Sequence, residues 1–252
     1  MLTVGEFMTF FTYDDGKRTG ACRDFLLSSG RLDGYKMLTI LPIPTTRDGI
    51  HVFGSDETLD SLVGSAGVGD IYLGYGLPDL LTDGLRSVGA VVVDVARDEE
   101  FLVGNARLTA LATVGKILTR GGKSPDGLSV GVVGYGRIGR VLVGLLLSLG
   151  AAVRVYSTRA ATVLCLSRSG VDATLLHRGD PLPVHDLLIN TAPDEIFDTD
   201  SPTPTGMEIW ELATGENFPG RTVTRLPSLP QLYYPETAGR LYAEALLRAM
   251  GV

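Results

Sequence analysis

One stretch constrains the fold of this chain more than any other. Ser129-Val130-Gly131-Val132-Val133 is a short apolar run, Gly134-Tyr135-Gly136-Arg137-Ile138-Gly139 continues it as G-x-G-x-x-G, and a helical pattern begins at once. In a strand–turn–helix of this kind Gly134 permits the tight turn, Gly136 lets the backbone approach a pyrophosphate, and Gly139 lets the helix pack closely on the strand. The helix N-terminus adds free N–H groups and the positive end of the macrodipole. The glycine spacing alone says little in a chain with 32 glycines. The flanking strand and helix turn it into an expected dinucleotide site, with Gly134, Tyr135, Gly136, Arg137, Ile138 and Gly139 as candidate cofactor residues.

The helix is expected to bury Ile138, Val141, Leu142, Leu145 and Leu149, which fall at helical spacing, and to stop at Gly150. A second strand, Ala152 to Tyr156, follows. NAD-binding domains place a carboxylate near the end of this strand to hold the ribose 2′-hydroxyl. Here Ser157, Thr158 and Arg159 stand instead, and no Asp or Glu occurs between Asp126 and Asp172. Two hydroxyls and a guanidinium suit a 2′-phosphate, which arginine can pair bidentately. NADP is therefore the favoured cofactor, with NAD the alternative if these are ordinary polar residues at a strand end.

At 252 residues the chain has room for two modest domains. Its net charge of −7 argues against a nucleic-acid partner. Cys22 and Cys165 are isolated and show neither metal-ligand spacing nor a disulfide framework, so no metal site and a cytoplasmic setting are expected. The start has no basic segment followed by a long apolar run, and Val141 to Leu149 is too short to span a membrane.

Strand-like and helix-like runs alternate throughout. This predicts an α/β fold: a Rossmann-type doubly wound parallel sheet preceded by a smaller α/β domain. In the first part, Gly5–Tyr13, Lys36–Leu41, Asp70–Gly74 and Ala90–Val95 read as strands, and Arg18–Ser29, Leu77–Val88 and a long run from Glu99 to Thr119 as helices. The turn-rich Gly121–Gly127 makes a boundary, giving a substrate domain over 1–121, short at its front, and a dinucleotide domain over 122–234. In the second part Val171–Leu176, Asp186–Pro193, Met207–Leu212 and Thr222–Leu226 complete six strands. A last helix, Pro235 to Met250, is expected to bridge the two domains beside a ligand-binding cleft.

The loops carry a resemblance. Ile40-Leu41-Pro42-Ile43-Pro44-Thr45-Thr46 followed by Asp48-Gly49, the glycine fingerprint, Ile189-Asn190-Thr191-Ala192-Pro193, Glu211-Leu212-Ala213-Thr214, and Leu229-Pro230 with Pro235-Glu236-Thr237-Ala238-Gly239 occur in consistent order. This ordered set resembles the A subunit of dipicolinate synthase. The resemblance implies formate/glycerate dehydrogenase-like architecture and a nicotinamide-dependent oxidation of 4-hydroxy-tetrahydrodipicolinate, or its dehydrated form, to dipicolinate during sporulation. It implies a flavoprotein-like B subunit as partner, and a homo-oligomer is expected. Glu236 stands where that family has a basic residue, and Ser228 and Gln231 stand where it has glycines.

Placement at strand ends nominates further residues. Thr45, Thr46 and Arg47 are candidate binders of a small dicarboxylate, against the alternative of a solvated turn. Asn190, Thr191, Ala192 and Pro193 are expected to line the ribose and nicotinamide, and Thr214, Leu229 and Pro230 to close the nicotinamide end. Tyr234 and Thr237, at the start of the last helix, are candidate substrate contacts. Thr46 and Asn190 are the candidate catalytic residues, holding a water as proton acceptor. The histidines, His51, His177 and His185, all precede the fifth strand of the dinucleotide domain. A late acid–base histidine, as a D-2-hydroxy acid dehydrogenase needs, is thus missing. Two other readings stay open: an oxidoreductase of another small carboxylate, and a nucleotide-binding subunit without chemistry.

Overall fold

The computed structural model of the chain describes residues 8–13, 17–32, 35–193, 197, 206–215 and 217–252. These form two compact units. The first spans residues 1–105 and 230–252, the second 106–229.

The first unit is a four-stranded parallel sheet of β1 (Thr9–Thr12), β2 (Met37–Ile40), β3 (Ile71–Gly74) and β4 (Val91–Asp94), in the order β1-β2-β3-β4. Between the strands run α1 (Lys17–Ser29), α2 (Leu59–Ser65) and α3 (Asp79–Ser87). Residues 5–7 of the expected first strand lie outside the described residues. The short α2 escapes a search by period because it has only seven residues; the Thr58 hydroxyl caps it by accepting from the Ser61 N–H. One face of the sheet packs Leu38, Ile40, Ile71 and Leu73 against α1 residues Cys22 and Leu26. The other packs Leu41 and Tyr72 against Leu62, Leu81 and Leu85 of α2 and α3. The strands step in one direction while α1 and α2 lie on opposite faces, so these two connections have opposite hand.

A 3-10 turn at Val95–Arg97 leads into α4 (Glu99–Thr119), and the two units divide within this helix. Among the described residues α4 alone is long and apolar enough to cross a membrane by length and composition, and half of its most apolar window is buried inside the protein. Such burial is what a core helix requires.

The second unit carries β5 (Ser129–Val133), α5 (Arg137–Ser148), β6 (Ala152–Ser157), α6 (Ala160–Arg168), β7 (Asp172–Leu175), β8 (Leu187–Asn190), β9 (Glu208–Glu211) and β10 (Thr224–Arg225). All six strands are parallel, in the order β10-β9-β8-β5-β6-β7. This is the Rossmann order, reversing direction at β5. The register sets Val133 beside Tyr156 on one side and Asn190 on the other, so the ends of β5, β6 and β8 meet at the glycine turn. Finally α7 (Leu229–Tyr233) leads into α8 (Pro235–Met250), which closes at Gly251 with φ 73°. Gly239 brings α8 against α1: a Cβ there would meet the Cys22 nitrogen at 2.6 Å.

One expectation is corrected. The buried face of α5 is Gly139, Leu142, Val143 and Leu146, while Leu149 is 36% exposed and Ile138, Val141 and Leu145 are half-buried. A Cβ on Gly139 would collide with the Gly134 carbonyl oxygen. That contact sets the rotation of the helix, and the buried positions follow from it at i, i+3, i+4 and i+7.

Candidate functional site

The turn between β5 and α5 divides its three glycines into two kinds. Gly134 has φ 91°, a region that disfavours side chains, and a Cβ on it would lie 2.7 Å from the Thr191 hydroxyl. Gly139 is held against Gly134 by the contact that rotates α5. Both are required by the protein itself. Gly136 is different. As the N-cap of α5 its backbone is extended, at φ −79° and ψ −157°, and a Cβ on it would meet no described atom within 4 Å. No described residue demands glycine there, and the space beside it at the helix N-terminus is open.

That space is a cavity of about 200 Å³. It is lined by Gly134, Tyr135 and Gly136 from the turn, Tyr156, Ser157, Thr158 and Arg159 from the end of β6, Thr191, Ala192 and Pro193 after β8, and by Arg140 and Thr162. Three segments nominated separately in the sequence thus converge. Arg140 and Thr162 join them without having been expected. Arg140 lies one turn beyond Gly136 on α5, with its guanidinium 5.7 Å from the Tyr135 ring and its Nε donating to the Tyr135 carbonyl at 3.3 Å. Thr162 lies three residues beyond Arg159 on α6, so helical spacing is the signal that could have found it. The Ser157 hydroxyl accepts from the Arg159 N–H at 3.2 Å and fixes this strand end. With Arg140 and Arg159 present and no carboxylate among the lining residues, the cavity favours an anion. Arg137, Ile138 and Gly139 form the first turn of α5 and do not line it.

The loop after β8 is held by a buried polar cluster. Asn190 is 1% exposed. Its Nδ2 donates to both Glu211 carboxylate oxygens, at 3.0 and 3.2 Å, and to the Ala192 carbonyl, and its Oδ1 accepts from the Ala192 N–H. Asn190 therefore cannot hold a catalytic water or touch a cofactor here, because its amide is spent inside the protein. It shapes the loop instead. Its partner Glu211, also buried, is absent from the candidates read from sequence; the β8–β9 register that pairs them is the signal. Burial pushes the Glu211 carboxyl above its ordinary range, against hydrogen bonds from Asn190, Asn217 and the Ala213 N–H. The Thr191 hydroxyl donates to the Val133 carbonyl at 2.9 Å and ties this loop to β5.

The remaining candidates sit elsewhere. In the second unit Thr214 is exposed and Leu229 is buried, and neither lines the cavity. In the first unit Pro230 is buried, Tyr234 is half-buried as the N-cap of α8, and Thr237 is exposed on its first turn. Thr45 is 1% exposed: its hydroxyl donates to the Tyr75 carbonyl at 3.1 Å and accepts from the Tyr75 N–H at 3.2 Å. It ties the loop after β2 to the end of β3 and is not free to bind substrate. Thr46 accepts from the Gly49 N–H and donates to Asp48, so it closes a turn rather than holding a catalytic water. The Arg47 guanidinium lies over the Phe53 ring. Among the described residues no group of three or more His, Cys, Asp or Glu gathers as a metal site.

No family model and no curated protein matches the chain. Solved structures do. The A subunit of dipicolinate synthase from Bacillus halodurans is similar with a TM-score of 0.73 at 18% identity, over 100% of both chains. The corresponding polypeptide of dipicolinate synthase from Bacillus subtilis gives 0.69 at 20% identity, over 100% of this chain and 97% of that one. A transhydrogenase from Sinorhizobium meliloti gives 0.58 at 13% identity, over 96% and 92%. The resemblance read from the loops thus extends to the whole fold: the chain folds as these dipicolinate synthase polypeptides do, in an α/β architecture of Rossmann type.

Proposed function

We propose that the chain is an NADP-dependent oxidoreductase. The observation that carries this reading is Gly136, a glycine at a helix N-terminus whose side-chain space is open, beside a cavity holding two arginines and no carboxylate. The N–H groups opening α5 would hold the pyrophosphate. Arg159 and Arg140, with Ser157, Thr158 and Thr162, would hold the 2′-phosphate, and Thr191, Ala192 and Pro193 would border the ribose. When bound, the nicotinamide supplies the hydride acceptor. The chain's own part is to fix the cofactor and the substrate and to exclude competing reactions.

The likeness to the dipicolinate synthase A subunits supports a finer reading: oxidation of 4-hydroxy-tetrahydrodipicolinate, or its dehydrated form, to dipicolinate during sporulation, in the cytoplasm, beside a B subunit and as a homo-oligomer. The cofactor assignment is tested by titration with both nicotinamides. Arg159→Asp should weaken NADPH binding at least about tenfold more than NADH binding, which is roughly 1.4 kcal/mol. Equal losses would remove the 2′-phosphate role. The substrate assignment is tested by following nicotinamide absorbance with 4-hydroxy-tetrahydrodipicolinate. Tight NADPH binding without turnover would leave only the nucleotide-binding part.

A further inference from the structure

A second cavity, of about 340 Å³, opens on the loop that follows β2 in the first unit. Its wall includes Arg47, Asp48, His51, Phe53, Ser55 and Asp56. The loop is closely hydrogen-bonded: Phe53 N–H donates to the Thr45 carbonyl, Val52 N–H to the Glu57 carbonyl, and Leu59 N–H to the Ile50 carbonyl. Val52 is fully buried and pins it to the core.

Asp48 is the hub. Its Oδ1 accepts from the Ile50 and His51 N–H groups at 2.8 Å each and from the Thr46 hydroxyl at 3.2 Å. Its Oδ2 lies 2.7 Å from His51 Nδ1. These bonds, chiefly from His51, hold the Asp48 carboxyl well below the usual carboxylate range. An ionised carboxylate can only accept, so His51 Nδ1 carries the hydrogen, and in the neutral ring Nε2 is the nitrogen left with a lone pair. Arg47 stands in the same wall, its guanidinium 4.2 Å from the centre of the Phe53 ring. The remaining charged residue among those lining the cavity is Asp56. One cavity thus combines an oriented imidazole with a guanidinium, a proton acceptor beside a carboxylate anchor.

We propose that this cavity binds a small carboxylate through Arg47 and that His51 Nε2 is its proton acceptor, with Asp48 as the positioning residue. The proposal rests on the oxidoreductase reading and is made for the first unit by itself. In the step a C–H or O–H bond of the substrate breaks, the Nε2–H bond forms, and the electron pair stays on the substrate. The imidazolium faces the Asp48 carboxylate until its proton leaves to water.

The test uses the full chain with ¹⁵N-labelled histidine and pyridine-2,6-dicarboxylate as probe. The His51 ring signals should report the Nδ1–H tautomer and shift saturably with the probe. Asp48→Asn should redistribute the tautomers at an unchanged melting temperature. Arg47→Ala should weaken the probe at least about tenfold, and sulfate at equal ionic strength should leave the His51 signals in place. His51→Gln should flatten the pH dependence of turnover while leaving the NADPH affinity within about twofold. Unmoved His51 signals, equal probe binding by Arg47→Ala, or an equal response to sulfate would each overturn the proposal. Failure of the parent chain to bind NADPH would overturn the oxidoreductase reading instead, because the response of His51 to the dicarboxylate is measured without any cofactor.

Discussion

Replacing Gly136 with aspartate should weaken NADPH binding roughly thirtyfold without harming the fold. The backbone at Gly136 is extended and a Cβ there meets no described atom, so the side chain enters without strain. Aspartate is a better N-cap than glycine by a few tenths of a kcal/mol, and its charge complements the helix dipole by about 0.3–1 kcal/mol. Thermal stability should therefore hold or rise by about 1–5 °C, at about 2–4 °C per kcal/mol for a chain of this size. Binding moves the other way. A carboxylate about 4 Å from a phosphate charge costs about 4 kcal/mol at an effective dielectric of 20. Halving this for solvent screening leaves about 2 kcal/mol, or roughly a thirtyfold loss. Calorimetric titration with NADPH and a melting curve on the same sample read both effects. Gly139→Ala supplies the contrast: its methyl collides with the Gly134 carbonyl, and overpacking of this kind costs about 1–3 kcal/mol. Parent-like NADPH affinity in Gly136→Asp would refute the reasoning, as would a melting temperature lowered as far as that of Gly139→Ala.

Other consequences are as direct. Asn190→Ala removes a buried partner of Glu211 and should destabilise the second unit by about 1–3 kcal/mol in denaturant melts; an unchanged midpoint would show that the cluster does not hold the loop. His185 is buried between the Tyr156 hydroxyl, 2.7 Å from Nε2, and the Ser129 hydroxyl, 3.0 Å from Nδ1. Burial, and then Arg154, hold its pKa below the ordinary value. A depressed folded pKa gives stability that is present above the unfolded value of about 6.5 and is lost as pH falls toward the folded value. The parent should lose stability over that acid window more steeply than His185→Phe, and parallel pH profiles would contradict this. Ser228 has φ 56°, in the left-handed region, so Ser228→Gly should stabilise the chain by about 0.5–1 kcal/mol, and a lowered melting temperature would count against strain there.

The parts of this fold legible in the sequence are those set by local chemistry. The glycine turn, the strands around it and the long helices are marked by period, apolar runs and stop signals within a few residues. The face of α5 is not legible in this way, because its rotation is set by a contact of Gly139 with Gly134 and not by where leucines are densest. Asn190, Thr45 and Thr46 suggest chemistry because they follow strands. Burial and partners decide that question, and the Glu211 that occupies Asn190 lies on another strand, visible only through β8–β9 register. The pairing of Asp48 with His51 spans three residues and is open to inspection in the sequence. It is easily passed over, because the acid–base histidine of a hydroxy acid dehydrogenase lies late in the chain. Arg140 escapes notice because the glycine spacing marks only the turn, whereas the cavity extends one helical turn beyond it.

Titration of the unmodified chain with NADPH and with NADH tests the cofactor site most directly. One NADPH per chain, bound at least about tenfold more tightly than NADH, is the expected result. Heat from neither nicotinamide, or a preference for NADH, would contradict it.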